Sequence, residues 1–131
     1  MKYNLSEITE VIKNRRSISP ESYSDRKVHR EIVENILSNG TWAPSHGMTQ
    51  PWRFKVFIGE GTKKLEVFLP DLYKSSTDPA TFSQRKFDKI LLRTQEVSVI
   101  VAICMERDLT ERIPEIEEVE AVACAVQNMY L

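Results

Sequence analysis

Apolar positions in this chain recur mostly at helical spacing, and in two places they change to the pattern of strands. Leu5, Ile8, Val11 and Ile12 predict a helix over about 5–15, with Asn4 or Ser6 placed to cap its start. Ile32, Val33, Ile36 and Leu37 predict a second over about 29–38, with Asn39-Gly40 as its stop. Leu65, Phe68, Leu69 and Leu72 mark a third over about 63–74, which Pro70 is expected to kink or divide. Helical pattern resumes through Phe82, Phe87, Ile90 and Leu91. A last helix carries Ile116, Val119, Val122, Ala123, Val126 and Met129 and is still running at Leu131; Pro114 and the acids Glu115, Glu117 and Glu118 open it. Between these, Phe54, Val56 and Ile58 alternate with Arg53, Lys55 and Phe57, the pattern of a half-covered strand. Val97 to Cys104 is almost uninterruptedly apolar and β-branched, which predicts a central strand covered on both faces.

Two strands are too few for a sheet that is stable by itself. The small-residue stretch Ala121 to Val126 permits close packing of the last helix against another. Together these features call for a second chain to complete the core, or for a longer protein of which this is a part. With 131 residues, 41% of them apolar and 28% charged, the expectation is one soluble globular domain. A net charge of −1 gives no general pull toward nucleic acid or an anionic membrane. No run approaches a membrane span, and the opening residues lack an apolar stretch of signal-peptide length. Cys104 and Cys124 lie far apart without metal-ligand spacing, so they are expected to be reduced, buried packing residues of a cytoplasmic protein. The acids around Glu115 to Glu120 read as a solvated helix face, and His29 as a solvated helix-start residue.

The stretch that departs from ordinary connector chemistry is Ala43-Pro44-Ser45-His46-Gly47-Met48-Thr49-Gln50-Pro51-Trp52. Two prolines fix φ, one glycine admits backbone shapes closed to other residues, and Ser, His, Thr and Gln supply hydrogen-bonding groups. Trp42 and Trp52 flank it. A loop so equipped suits a planar ligand with a polar edge. Trp52 and Phe54 begin the strand and read as core anchors. Taken alone, His46 is more often a loop histidine without a ligand. Arg15-Arg16-Ser17, at the end of the first helix, admits two readings. The commoner is that the arginines complement the negative end of the helix dipole; the sharper is that two guanidinium forks and a hydroxyl grip a phosphate.

Asn14-Arg15-Arg16-Ser17-Ile18, followed by the segment from Trp42 to Phe54 and by an Ala-rich helix leading to Gln127-Asn128, resembles the nitroreductase family of flavin-dependent oxidoreductases. The Pro-Ser-x-x-x-x-Gln-Pro-Trp signature is the specific part. The resemblance implies an α+β fold with helices around a mostly antiparallel sheet, here a single domain over 1–131 that forms the N-terminal portion of a longer family domain. It implies a homodimer with FMN at its interface and NADH or NADPH as co-substrate. The reaction it implies is hydride transfer through the flavin to a small electron-poor acceptor such as a nitroaromatic or quinone.

Carried over residue by residue, the resemblance gives Arg15, Arg16 and Ser17 to the flavin phosphate and ribityl chain, which reverses the preference stated above. Trp42, Pro44, Ser45 and His46 match the loop laid against the flavin by the partner subunit. Met48 stands where asparagine is frequent, and a thioether contact to the ring takes the place of an amide. Ser19 stands where many relatives carry a further basic residue. No acid–base residue is assigned, because the redox chemistry belongs to the cofactor. Two other classes are compatible with the same residues: a flavin-binding or flavin-handling protein with little turnover, and an inactive dimerisation fragment.

Overall fold

The computed structural model describes residues 4–131. Among them the chain forms five α-helices and one two-stranded antiparallel sheet, an α+β arrangement. The elements run α1 (Leu5–Asn14), α2 (Arg30–Thr41), β1 (Trp52–Ile58), α3 (Glu60–Ser76), α4 (Gln84–Gln95), β2 (Val99–Met105) and α5 (Glu115–Tyr130). Two compact units result. The first takes in the described part of Met1–Ser17, His29–Phe54 and Ile103–Leu131; the second is Ile18–Val28 with Lys55–Ala102.

In the first unit, α1 starts where the Asn4 side chain accepts a hydrogen bond from the Ser6 amide at 3.0 Å, as its capping position requires. Its apolar stripe finds little cover among the described residues. Leu5 is 76% exposed, and Ile8, Val11 and Ile12 lie about half in solvent. The core is instead made where α2 packs on α5. Ala43, Trp52, Ala121 and Ala125 form it, with Phe54 and Val122 packed against them. Ala121 and Ala125 are one helical turn apart, so their small side chains leave room for a neighbouring helix on a single stripe.

Gly40 serves the same approach. The sequence places a helix stop at Asn39-Gly40, but α2 continues through both to Thr41. A Cβ on Gly40 would lie 3.0 Å from Met129 Cγ and 3.2 Å from the Phe54 ring. The residue is glycine because of what lies over it, and the helix ends one residue later.

In the second unit, α3 packs on α4. Gly59, at φ +56°, supplies the turn into α3, and its carbonyl accepts the Thr62 hydroxyl at 2.7 Å. Of the kink or division expected at Pro70, the division does not occur: α3 is one element from Glu60 to Ser76 with Pro70 buried inside it. The apolar ring is covered there, which offsets the lost backbone donor. Tyr73, Phe82 and Phe87 form an aromatic row with centroid spacings of 5.5 and 6.2 Å, and Lys86 lies 4.8 Å from the Tyr73 ring.

The sheet is antiparallel, with the Glu106 amide donating to the Pro51 carbonyl at 2.9 Å beside the first residue of β1. Trp52 and Phe54 are core residues at the start of β1. β2 was expected to be covered on both faces. Its residues are half-buried, and Ile103 and Cys104 are exposed. A two-stranded sheet has only edges, so an apolar run cannot be enclosed by it alone. Cys124, like Cys104, is exposed rather than buried.

Introducing a β-branched side chain at Gly40 is expected to destabilise the first unit. Gly40→Val should cost roughly 2–3 kcal/mol, the usual range for overpacking a closed contact, read from the midpoint of a urea transition followed by tryptophan fluorescence. A variant as stable as the parent would show that Met129 and Phe54 yield freely.

Candidate functional site

The loop after α2 is a short 3-10 turn, His46–Met48, set between Pro44 and Pro51. Three of its residues have positive φ: Gly47 at 60°, Met48 at 56° and Gln50 at 44°. For methionine and glutamine that conformation costs on the order of 1–3 kcal/mol each, so the surroundings must hold it. They do so from inside and outside the loop. Inside, the Gln50 amide donates to Ser45 Oγ at 3.2 Å, and Arg53 Nη1 donates to the Gln50 carbonyl at 2.9 Å. Arg53 is itself paired with Glu106 at 2.7 Å.

Outside, the connector from β2 to α5 provides the clamp. Arg112 Nη2 donates to the Gly47 carbonyl at 3.0 Å, and the buried Ile113 side chain would be 3.2 Å from a Cβ on Gly47. Gly47 is glycine for both reasons, its φ and this contact. The connector is anchored in turn by Glu118, expected on a solvated helix face but only 1% exposed. Glu118 Oε2 accepts from Arg107 Nε at 3.1 Å and Oε1 from the Asp108 amide at 3.0 Å, while Arg107 Nη2 donates to the Ile113 carbonyl at 3.1 Å. A carboxylate can be buried at this cost only when both oxygens are satisfied. Sequence periodicity could not separate Glu118 from its acidic neighbours. The basic Arg107 upstream is the one signal that would have paired it.

Within this frame the loop displays apolar surface. Trp42 is 80% exposed and Met48 77%, and Pro44 is exposed beside them. Ser45 is half-buried through its bond to Gln50. His46 Nδ1 lies 2.6 Å from Glu117 Oε2 in the first turn of α5, a partner the sequence reading did not find. Thr49 Oγ1 is buried and without a hydrogen-bond partner among the described residues.

Arg15, Arg16 and Ser17 leave the end of α1 elsewhere. Arg16 Nη1 donates to the carbonyls of Lys13 and Arg15, which is the helix-end role. The Arg15 guanidinium lies 5.7 Å from the centre of the Tyr130 ring, at the far end of α5. His46 meets α5 at Glu117, thirteen residues earlier, or about 20 Å along the helix axis. The structure therefore groups Trp42, Pro44, Ser45, His46 and Met48 together. It does not bring Arg15–Ser17 to them within one chain.

An α+β fold with this Pro-Ser-His-Gly-Met-Thr-Gln-Pro-Trp loop on a helix of small residues is the frame of a known class. The family model for the Nitroreductase family matches residues 12–131, and the chain belongs to that family. Putative NAD(P)H nitroreductase YdjA of Escherichia coli (strain K12) is 31% identical over 124 residues, which cover 93% of this chain and 63% of that relative. The structure of a nitroreductase-like family protein from Bacillus cereus matches with a TM-score of 0.71 at 28% identity, over 99% of this chain and 64% of the other. That of a putative nitroreductase in complex with FMN from Desulfovibrio desulfuricans matches with a TM-score of 0.65 at 28% identity, over 98% and 62%. The chain thus spans somewhat under two thirds of these relatives' lengths. Among the described residues no helix is long and apolar enough to cross a membrane.

The Glu118 anchor has a pH signature. The Asp108 amide, and after it the Arg107 guanidinium, hold its carboxyl below the ordinary carboxylate range against the opposing effect of burial. A lowered folded value means that the unfolded chain takes up the proton first. The stability is therefore fully present above the ordinary carboxylate range and lost as pH falls through the depressed value. Glu118→Gln is expected to lower stability at neutral pH and to flatten its decline on acidification, measured by urea midpoints across a pH series. An unchanged acid limb would assign that decline to other carboxylates.

Proposed function

We propose that this chain is the FMN-binding part of a nitroreductase-type oxidoreductase, acting as a cytoplasmic homodimer with the flavin at the interface. The observation that carries the reading is the display of Trp42 and Met48 on a loop held rigid by Arg112 and Ile113. Exposed apolar side chains on a strained but clamped backbone suit the flat face of an isoalloxazine ring. Ser45 and His46 supply hydrogen-bonding capacity for its polar edge. Arg15, Arg16 and Ser17 suit the phosphate and ribityl chain, and the 31% identical relative bears the name putative NAD(P)H nitroreductase.

The separation along α5 supports a two-chain site. If one protomer's arginines face its partner's loop, the 20 Å gap within a chain is no obstacle but the reason the site needs a dimer. The uncovered stripe of α1 and the bare edges of the sheet leave apolar surface for such a contact.

When bound, FMN supplies two-electron redox chemistry between NADH or NADPH and an electron-poor acceptor such as a nitroaromatic or quinone. The protein's own residues bind and orient. Trp42 and Met48 cover ring surface and exclude water. Arg15 and Arg16 neutralise phosphate charge, for which Arg16 exchanges its contacts with the carbonyls of α1. The same residues would also serve a flavin-handling protein with little turnover, and NAD(P)H oxidation in the presence of a nitroaromatic separates the two.

Arg15→Ala is expected to weaken FMN binding by about 1.5–3 kcal/mol, the worth of a charge-assisted hydrogen bond, with the loss reduced at high salt. Titration of flavin fluorescence gives the affinity. Equal affinity of parent and variant at low salt would remove the phosphate assignment.

A further inference from the structure

Glu117 occupies the third position of α5, from which a glutamate ordinarily reaches back to cap the backbone N–H at the helix start. Here that start is Pro114, which has no N–H to cap. The carboxylate is left free, and it meets His46 Nδ1 at 2.6 Å. Arg112 and Ile113 fix Gly47, the residue after His46, so the ring's backbone is held from the same connector that leads into α5. Position, freedom of the carboxylate and clamping of the loop combine to give the contact a defined geometry.

A carboxylate accepts and cannot donate, so a neutral imidazole in this contact must carry its proton on Nδ1. Nε2 is then an unprotonated acceptor, on a side chain 64% exposed and with no other partner among the described residues. We infer that Glu117 is a positioning residue of the site: it holds His46 in the Nδ1–H tautomer, so that the loop presents a hydrogen-bond acceptor to the bound ligand. This deepens the flavin reading above and rests on it for the ligand's identity. It specifies the ligand chemistry as an N–H or O–H donor at a planar ring's polar edge, such as the imide N–H of isoalloxazine. A carbonyl of the same ring would meet a lone pair and be disfavoured.

The consequence is visible without any turnover. In 15N-labelled full-length chain at a pH of about 9, where imidazole is neutral, long-range 15N–1H correlation spectra distinguish the two tautomers. His29→Gln identifies which of the two histidines is His46. The parent is expected to show Nδ1–H for His46. Glu117→Leu, which leaves Nδ1 without its acceptor, is expected to release the ring to the Nε2–H form that an isolated imidazole favours, and Glu117→Asp to retain Nδ1–H. A parent already in the Nε2–H form, or a Leu variant with the parent's tautomer, overturns the inference.

Addition of FMN provides the second arm. The His46 Nε2 resonance is expected to move on binding, and Glu117→Leu to weaken FMN about tenfold with the protein's melting temperature unchanged. Binding that leaves Nε2 unmoved and is indifferent to Glu117→Leu overturns the ligand-facing role. If the parent binds no FMN, the functional reading fails instead, while the tautomer spectra still decide whether Glu117 sets the ring.

Discussion

The close approach of α2 to α5 is the contact on which the site depends. It is possible only because Gly40, Ala121 and Ala125 present almost no side chain where the two helices meet, with Ala125 fully buried. From that contact the rest follows in order. Trp42 leaves the end of α2 into solvent, Trp52 returns into the core, and the residues between must cross the first turn of α5. They cross it in a conformation that methionine and glutamine adopt only under constraint. The constraint comes from the connector before α5, itself secured by the pairing of buried Glu118 with half-buried Arg107. Loop, connector and helix are three readings of one packing decision.

That chain of dependence separates what holds the fold from what is left on the surface. Glu118, enclosed, and Arg107, half-buried over it, belong to the first class, with the hydrogen bonds of the carboxylate satisfied. Trp42, Met48 and His46 belong to the second, exposed although two of them are large and apolar. Exposure of this kind is costly for an isolated protein and useful at an interface. Arg15 stands between the classes, half-buried against the Tyr130 ring at the opposite end of α5.

Much of this was legible in the sequence, for physical reasons that differ by element. Periodicity located all five helices and both strands, because each buried or paired surface imposes its own repeat on the residues. The Pro-Ser and Gln-Pro-Trp groups marked the loop, since positive φ and fixed φ demand particular residue types. Gly40 was misread because a helical glycine under a close contact looks, in one dimension, like a stop. Pro70 does not divide α3, and the burial of its ring has no local sign in the sequence. The burial of Glu118, the exposure of Cys104 and Cys124, and the meeting of His46 with Glu117 all depend on pairings distant in sequence, which no local pattern encodes. The expectation of a strand covered on both faces at Val97 to Cys104 describes surface that this chain by itself does not enclose.

The central claim is that the arginines after α1 and the loop after α2 serve one ligand from two chains. Mixing two variants tests it directly. Chains carrying Arg15→Ala with Arg16→Ala, and chains carrying Trp42→Ala with His46→Ala, should each bind FMN poorly alone. After unfolding together and refolding as a mixture, hybrid dimers would hold one site with both defects and one with none. Flavin titration of the separated hybrid is expected to recover tight binding at half the sites of the parent dimer. If the hybrid binds no better than either variant, the arginines and the loop act within a single chain, and the two-chain site is wrong.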